Sequence, residues 1–211
     1  MFTEFLQSNA GRFAALIFAG IAFIVICGNM LKKSGLTTRA LTYAGLALAI
    51  AFVLSYIRLR IVPMGGSITP LSMFFVSIIG FWFGSAIGLV SAISYGFLQI
   101  AQGATVVHPI QLLLDYPIAF GMLGLSGFFW KFKGGLYTGF IVAVTGRWII
   151  STISGYVFFS QYMPEEWNNA WLYSMAYNAS YIYIEIGITL VIIAFPQVRN
   201  ALEHVKSRLH T

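Results

Sequence analysis

Three charged side chains stand inside long apolar stretches of this sequence: Asp115, Arg147 and Glu185. Asp115 falls in His108-Pro109-Ile110-Gln111-Leu112-Leu113-Leu114-Asp115-Tyr116-Pro117, which continues as an apolar helix through Phe120. A carboxylate at bilayer depth costs roughly 3 kcal/mol even on the gentlest insertion scale, so it needs a compensating partner. We read Asp115 as the polar anchor of a ligand pocket. The alternative is a carboxylate held by neighbouring hydroxyls or by Arg147 for helix packing alone. Arg147 lies deeper and reads as a structural counter-ion. Glu185 is either a second pocket acid or the partner of Arg147. Neutral groups gather around Asp115. Tyr116 follows it, Tyr173 and Asn178 sit in the outer half of a later apolar segment, and Ser151, Thr152, Ser154 and Phe159 lie toward the outer end of the one between. Gln99 ends an earlier one. All fall at one level of the membrane, and an apolar-walled cavity with a few placed polar groups is the usual form of a small-molecule site. Taken singly, Tyr173 reads as an interface anchor and Asn178 equally well as helix glue. His108, before a proline, reads as a helix cap; the other histidines lie in the tail, so no metal site is expected.

The composition requires a membrane. Of 211 residues, 59% are hydrophobic and 9% charged, against about 25% charged in a soluble domain. The expected class is an all-α integral membrane protein, since the period-two alternation of a barrel does not recur. The net charge of +6 is not read as nucleic-acid binding, because the cations cluster at helix ends. A single cysteine, Cys27, excludes an intrachain disulfide and a multi-cysteine metal site. No GxxxxGK[ST], HExxH or GxSxG motif occurs, so ATP hydrolysis and the corresponding peptidase and esterase chemistries are not expected. No cofactor is expected either.

Taken in order, residues 1–37 form an N-terminal leader with an apolar run from Phe13 to Leu31, read as a retained transmembrane helix rather than a signal peptide. Residues 38–195 form a core of six helices, and 196–211 a basic tail read as a short surface helix. The core helices are expected over Thr38 to Ile57, Pro70 to Phe83, Ala86 to Ala101, Pro109 to about Trp130, Leu136 to Phe159 and Trp171 to Phe195. Arg58 to Thr69 is read as a loop broken by Pro63, Gly65 and Gly66. On the first core helix Ala40, Ala44, Ala47, Ala51 and Ser55 make a small-residue stripe. Such a stripe lets another helix approach closely, either from a partner or from the same chain. Lys32, Lys33, Arg39, Lys131, Lys133, Arg199, Lys206 and Arg208 fall on one side and Arg12, Arg58 and Arg60 on the other. The C-terminus is therefore expected in the cytoplasm.

Several stretches resemble one family, the thiamine-binding S components of energy-coupling factor (ECF) transporters. They are Gly65-Gly66-Ser67-Ile68-Thr69, His108 to Phe120, Gly124-Leu125-Ser126-Gly127, Ser154-Gly155-Tyr156-Val157-Phe158-Phe159, and Tyr173-Ser174-Met175-Ala176-Tyr177-Asn178. The resemblance spans about Thr38 to Phe195 and leaves the leader as an additional helix. It implies a bacterial plasma-membrane subunit, not an enzyme, that captures a vitamin from outside. It also implies docking on a membrane-coupling subunit carrying two ATPases. By resemblance Asp115 is the acid for a cationic substrate, with Tyr116, Ser151, Phe159, Tyr173, Asn178, Gln99 and Glu185 completing the substrate site. Gly65, Gly66 and Ser67 become the outer lid, and Ala40, Ala44, Ala47 and Ala51 the docking face. The chain departs from the pattern in lacking a lid tryptophan near Gly66, in carrying Ser151 where a histidine is typical, and in the extra acid Glu185. The implied ligand is thiamine, or alternatively a thiamine precursor or another heteroaromatic vitamin. The readings from other classes are an intramembrane enzyme using Asp115 and Glu185 as an acid–base pair, and a packing subunit with no ligand.

Overall fold

In this computed structural model the described residues are 36–62 and 65–209, with positions 25, 28, 29 and 32 of the leader. But for those positions, the expected leader helix lies outside the described residues. The elements in chain order are α1 (Thr38–Tyr56), β1 (Arg60–Ile61), β2 (Ser67–Ile68), α2 (Ser72–Phe83), α3 (Ser85–Ala101), α4 (Pro109–Phe129), α5 (Gly135–Phe159), α6 (Ala170–Ala194) and α7 (Pro196–Leu209). Helices α1, α4, α5 and α6 are long and apolar enough to cross a bilayer, at 1.5 Å rise per residue. α2 and α3 are shorter, apolar, and turn back on one another at Gly84, whose φ of 84° suits a residue without a side chain.

The small-residue stripe of α1 is spent inside the chain. Ala40, Ala44, Ala47, Ala51 and Ser55 are all buried, with Ala40, Ala44 and Ala47 against Ile79 of α2 and Ile87 of α3 in one cluster and Ala51 in the main core. The Tyr95 hydroxyl of α3 donates to the Ala51 carbonyl at 3.0 Å. The residues expected as a docking face, Ala40, Ala44, Ala47 and Ala51, are instead buried within the chain, where they seat neighbouring helices. The outward face of α1 instead exposes Leu41, Leu46 and Val53, with Gly45 and Ala49 between them. Ala51 is 0% exposed, so Ala51→Leu should overpack this seam and destabilise the fold by about 1–3 kcal/mol. The check is thermal unfolding of the purified variant in detergent. An unchanged midpoint would contradict the packing described.

Glycines bring α2, α3 and α4 to backbone contact. A Cβ at Gly88 would stand 2.6 Å from Gly80 Cα, and one at Gly124 2.5 Å from the Leu89 backbone. This close approach gives the Gly124-Leu125-Ser126-Gly127 stretch its structural sense. α4 is not the regular helix expected. It is α-helical over Pro109–Leu113, makes a π turn over Leu114–Ile118, and tightens to a 3-10 helix over Met122–Phe129. Pro117 lies inside the π turn and has no N–H to donate, and widening the helix accommodates that missing bond. α3 fits closely here, since a Cβ at Gly96 would stand 2.5 Å from the Tyr116 carbonyl.

The segment read as a loop before α2 contains a minimal hairpin, with Arg60 opposite Ile68 and Ile61 opposite Ser67. Gly65, at φ 95°, lies in its turn. α2 begins at Ser72 and not at Pro70, because Leu71 takes a left-handed conformation at φ 62°. At the opposite end, the tail helix α7 is amphipathic and turns Val198, Leu202, Val205 and Leu209 onto the core. It is tied there by Trp82 Nε1 to the Leu202 carbonyl at 3.3 Å, by Arg39 to the Arg208 carbonyl at 3.0 Å, and by Lys206 to the Trp130 carbonyl.

Candidate ligand-binding site

A cavity opens between the hairpin, the loop after α3, and helices α4, α5 and α6. It encloses about 1170 Å³ of empty space, its open mouth included. Asp115, Tyr116, Ser151, Phe159, Tyr173, Asn178, Gln99 and Glu185 all line it, as do Gly65, Gly66 and Ser67. Of the residues expected at one membrane level, Thr152 and Ser154 are buried outside the lining; the others, from four separate segments, share the cavity. The structure assigns them unequal tasks.

Asp115 sits on the π turn, half-buried. It accepts a hydrogen bond of 2.5 Å from Gln111 Nε2, one helical turn earlier. Gln111 is fully buried and doubly anchored: the same nitrogen donates to the Thr105 carbonyl at 3.1 Å, and its Oε1 accepts from the Val107 N–H at 3.1 Å. The carboxylate is therefore oriented by a rigid neighbour, and an ionised carboxylate can accept about four bonds. Asp115 retains capacity for a cationic or amino-bearing ligand.

Glu185 is used differently. It is 2% exposed, and its oxygens accept from Thr69 Oγ1 at 2.7 Å, from Ser72 Oγ at 3.2 Å and from the Met73 N–H at 2.8 Å. The residue before α2, Leu71, offers no side-chain cap. Glu185 supplies it from another helix, satisfying an orphan N–H and placing negative charge at a helix N-terminus. Glu185 bounds the cavity but is committed to holding α2, and through it the hairpin, on α6. The pairing with Arg147, one of the two readings of Glu185, is not made directly: its oxygens are taken by Thr69, Ser72 and Met73.

Asn178 is also largely committed. Its Nδ2 donates to the Ser174 carbonyl at 2.9 Å and the Ser151 carbonyl at 3.2 Å, while its Oδ1 accepts from the Tyr181 hydroxyl at 2.6 Å. Ser174 Oγ donates to the Thr152 carbonyl at 2.7 Å. These bonds close the α5–α6 seam where Gly155 leaves no room: a Cβ there would meet Asn178 Nδ2 at 3.2 Å. Gln99 donates to Ser55 Oγ at 3.1 Å, which joins the mouth-side ends of α3 and α1. His108 caps α4, its Nδ1 accepting from the Ile110 N–H at 3.1 Å.

Two tyrosines beyond the residues expected from the sequence, Tyr177 and Tyr181, also line the cavity. Tyr173, Tyr177 and Tyr181 recur every four residues and form a ladder along one face of α6, with ring centroids 6.1 and 5.8 Å apart. All three line the cavity. The spacing was visible in the sequence, but tyrosines at a membrane boundary resemble interface anchors. Tyr177 accepts from the Gly66 N–H at 3.2 Å, and Tyr116 from the Thr105 N–H at 3.0 Å. One tyrosine pins the hairpin and the other pins the loop after α3. The two flaps meet over the cavity, where a Cβ at Gly65 would stand 2.8 Å from Thr105 Oγ1.

Residues 41–203 match the family described as thiamine transporter protein. The chain belongs to that family. The match covers the whole cavity and runs into α7 of this thiamine transporter family member. The thiamine transporter ThiT of Bacillus subtilis is 35% identical over 145 residues, 62% of this chain and 74% of that protein. The thiamine transporter ThiT of Lacticaseibacillus paracasei is 29% identical over 125 residues, 53% of this chain and 60% of that protein. A solved structure of ThiT from Listeria monocytogenes superposes with a TM-score of 0.63 at 23% identity, covering 75% of this chain and 96% of that one. It supports the all-α membrane fold. The family is one of transport and not of catalysis, so the acid–base reading of Asp115 with Glu185 falls away. The committed hydrogen bonding of Glu185 disfavours it independently.

Proposed function

We propose that the chain is the thiamine-binding S component of an ECF-type importer. The observation that carries this is Asp115, a half-buried carboxylate oriented by Gln111 within a cavity that Phe159, Tyr173 and Tyr177 also line. A carboxylate beside aromatic rings suits a flat cationic heteroaromatic: the acid answers the charge, and the ring faces add stacking and cation–π attraction. The family membership supports thiamine within that class. Substrate contacts are assigned to Asp115, Tyr116, Ser151, Phe159 and Tyr173, with Asn178, Gln99 and Glu185 supporting the wall, and the hairpin with Gly65, Gly66 and Ser67 acts as the lid. The nearby charges of Arg58 and Arg60 fall on the mouth side, and the basic tail on the other. A cytoplasmic C-terminus follows from the positive-inside rule. Energy comes from outside the chain, through a membrane-coupling subunit and two ATPases. Calorimetric titration of the purified protein with thiamine, and with its separate pyrimidine and thiazole precursors, tests the reading. Thiamine should bind more tightly than either half; a precursor binding more tightly would reassign the substrate.

The lid makes a kinetic prediction. Tyr177→Phe keeps the ring and removes the acceptor for the Gly66 N–H, a loss of about 0.5–1.5 kcal/mol. Bound thiamine should then dissociate roughly three- to tenfold faster. Stopped-flow chase of labelled thiamine measures this directly, and an unchanged off-rate would show that the hairpin does not gate the site.

A further inference from the structure

Arg147 is the one charged group of the cavity wall among α4, α5 and α6 whose hydrogen bonding the fold does not explain. It stands on α5 and lines the cavity. Its guanidinium carbon lies 4.0 Å from the centroid of the Phe120 ring. Its Nε is buried, and among the described residues Arg147 makes no hydrogen bond or ion pair. Asp115 is engaged by Gln111, and Glu185 by Thr69, Ser72 and Met73. Arg147 therefore makes no direct ion pair with either carboxylate, although its charge lies close enough to act on both through space. A guanidinium without hydrogen-bond partners calls for an acceptor, and Arg147 is one of the residues that line the ligand cavity.

We infer that Arg147 is a specificity-determining residue that donates to a neutral ring-nitrogen acceptor of the ligand. The inference rests on the proposed thiamine reading. Thiamine carries its positive charge on the thiazolium ring, while its aminopyrimidine is neutral and has two ring nitrogens with free lone pairs. Asp115 attracts the cationic ring and Arg147 repels it, so the two residues set the ligand's direction. The neutral ring meets Arg147. The Phe120 ring beneath the guanidinium carbon holds the side chain in place, as arginine–aromatic contacts do, and leaves N–H groups to read the acceptor.

The test uses the full-length chain in detergent and calorimetry with three probes: thiamine, and the two analogues in which one or other pyrimidine nitrogen is replaced by C–H. Wild type is titrated first. Failure to bind thiamine there would overturn the parent reading and this one together, and is distinguishable because no variant is involved. Arg147→Met keeps the apolar stem and removes the donors. It should bind thiamine about tenfold more weakly or worse, yet bind one of the two analogues within about threefold of wild type. The thermal midpoint of the ligand-free protein should move little. Equal affinity of wild type and variant for thiamine, or an equal loss for all three probes, would overturn the inference. Should Arg147→Met not fold, Arg147→Lys retains the charge but not the fork. The same selective loss is then expected, and a uniform response across the probes again overturns it.

Discussion

Asp115→Asn is expected to weaken thiamine binding by about tenfold or more. The substitution preserves size and removes the charge. A hydrogen bond to a charged group contributes about 1.5–3 kcal/mol net, and more when its loss leaves a buried partner unpaired. About 1.4 kcal/mol is already a factor of ten. The effect should be specific to the ligand, because Gln111 is held independently by the Thr105 carbonyl and the Val107 N–H. An asparagine oriented toward Gln111 keeps one acceptor for it, so the ligand-free protein should retain its thermal midpoint. Calorimetry of the purified variant provides the affinity, and differential scanning the midpoint. If the variant bound thiamine as tightly as wild type, Asp115 would serve only to seat Gln111, and the site built on it would fail.

The largest effect on stability should come from Glu185→Ala. Three donors converge on this carboxylate, one of them the Met73 backbone N–H at the start of α2. Thr69 and Ser72 can still bond each other, their hydroxyls being 2.6 Å apart. The Met73 N–H has no such recourse. Leaving a buried donor without its charged acceptor costs about 1–3 kcal/mol or somewhat more. That figure is expected here, because the strained left-handed Leu71 also loses the contact that holds the following turn. Glu185→Gln keeps the shape but turns one acceptor into a donor, and should cost less. Thermal unfolding of both variants decides the matter when paired with thiamine titration at a temperature where each is folded. Loss of affinity with no loss of stability would make Glu185 a ligand acid and not a cap.

These two carboxylates show how far the chain could be read without its fold. Both were conspicuous as charges in apolar segments, and nothing in their local sequence separates them. Asp115 precedes a tyrosine and a proline, and Glu185 lies between isoleucines. Their tasks diverge because Glu185 happens to face the start of another helix, more than a hundred residues away in the chain. Asp115 instead opens on a cavity. Such a contact is set by how α6 is rotated against α2, which no spacing along α6 encodes.

Hydrophobicity and helical geometry within single segments account for what was legible from the residues alone. The membrane class, the spans of α1, α5 and α6 to within a residue or two, and the common level of Asp115, Ser151, Phe159 and Tyr173 follow from run length and position along each run. The tertiary structure decided which way each helix faces. Periodicity groups Ala40, Ala44, Ala47 and Ala51 on one stripe, but a helix in lipid has no wet side to fix its rotation. Only packing within the chain, against Ile79 and Ile87 for Ala40, Ala44 and Ala47 and in the main core for Ala51, shows that the stripe points inward. The π turn at Pro117, the tyrosines that pin the two flaps and the Arg147 guanidinium held on Phe120 without a hydrogen bond belong to the same class. Each depends on contacts between distant segments, and the apolar pattern that carries a chain into the membrane is nearly indifferent to those contacts.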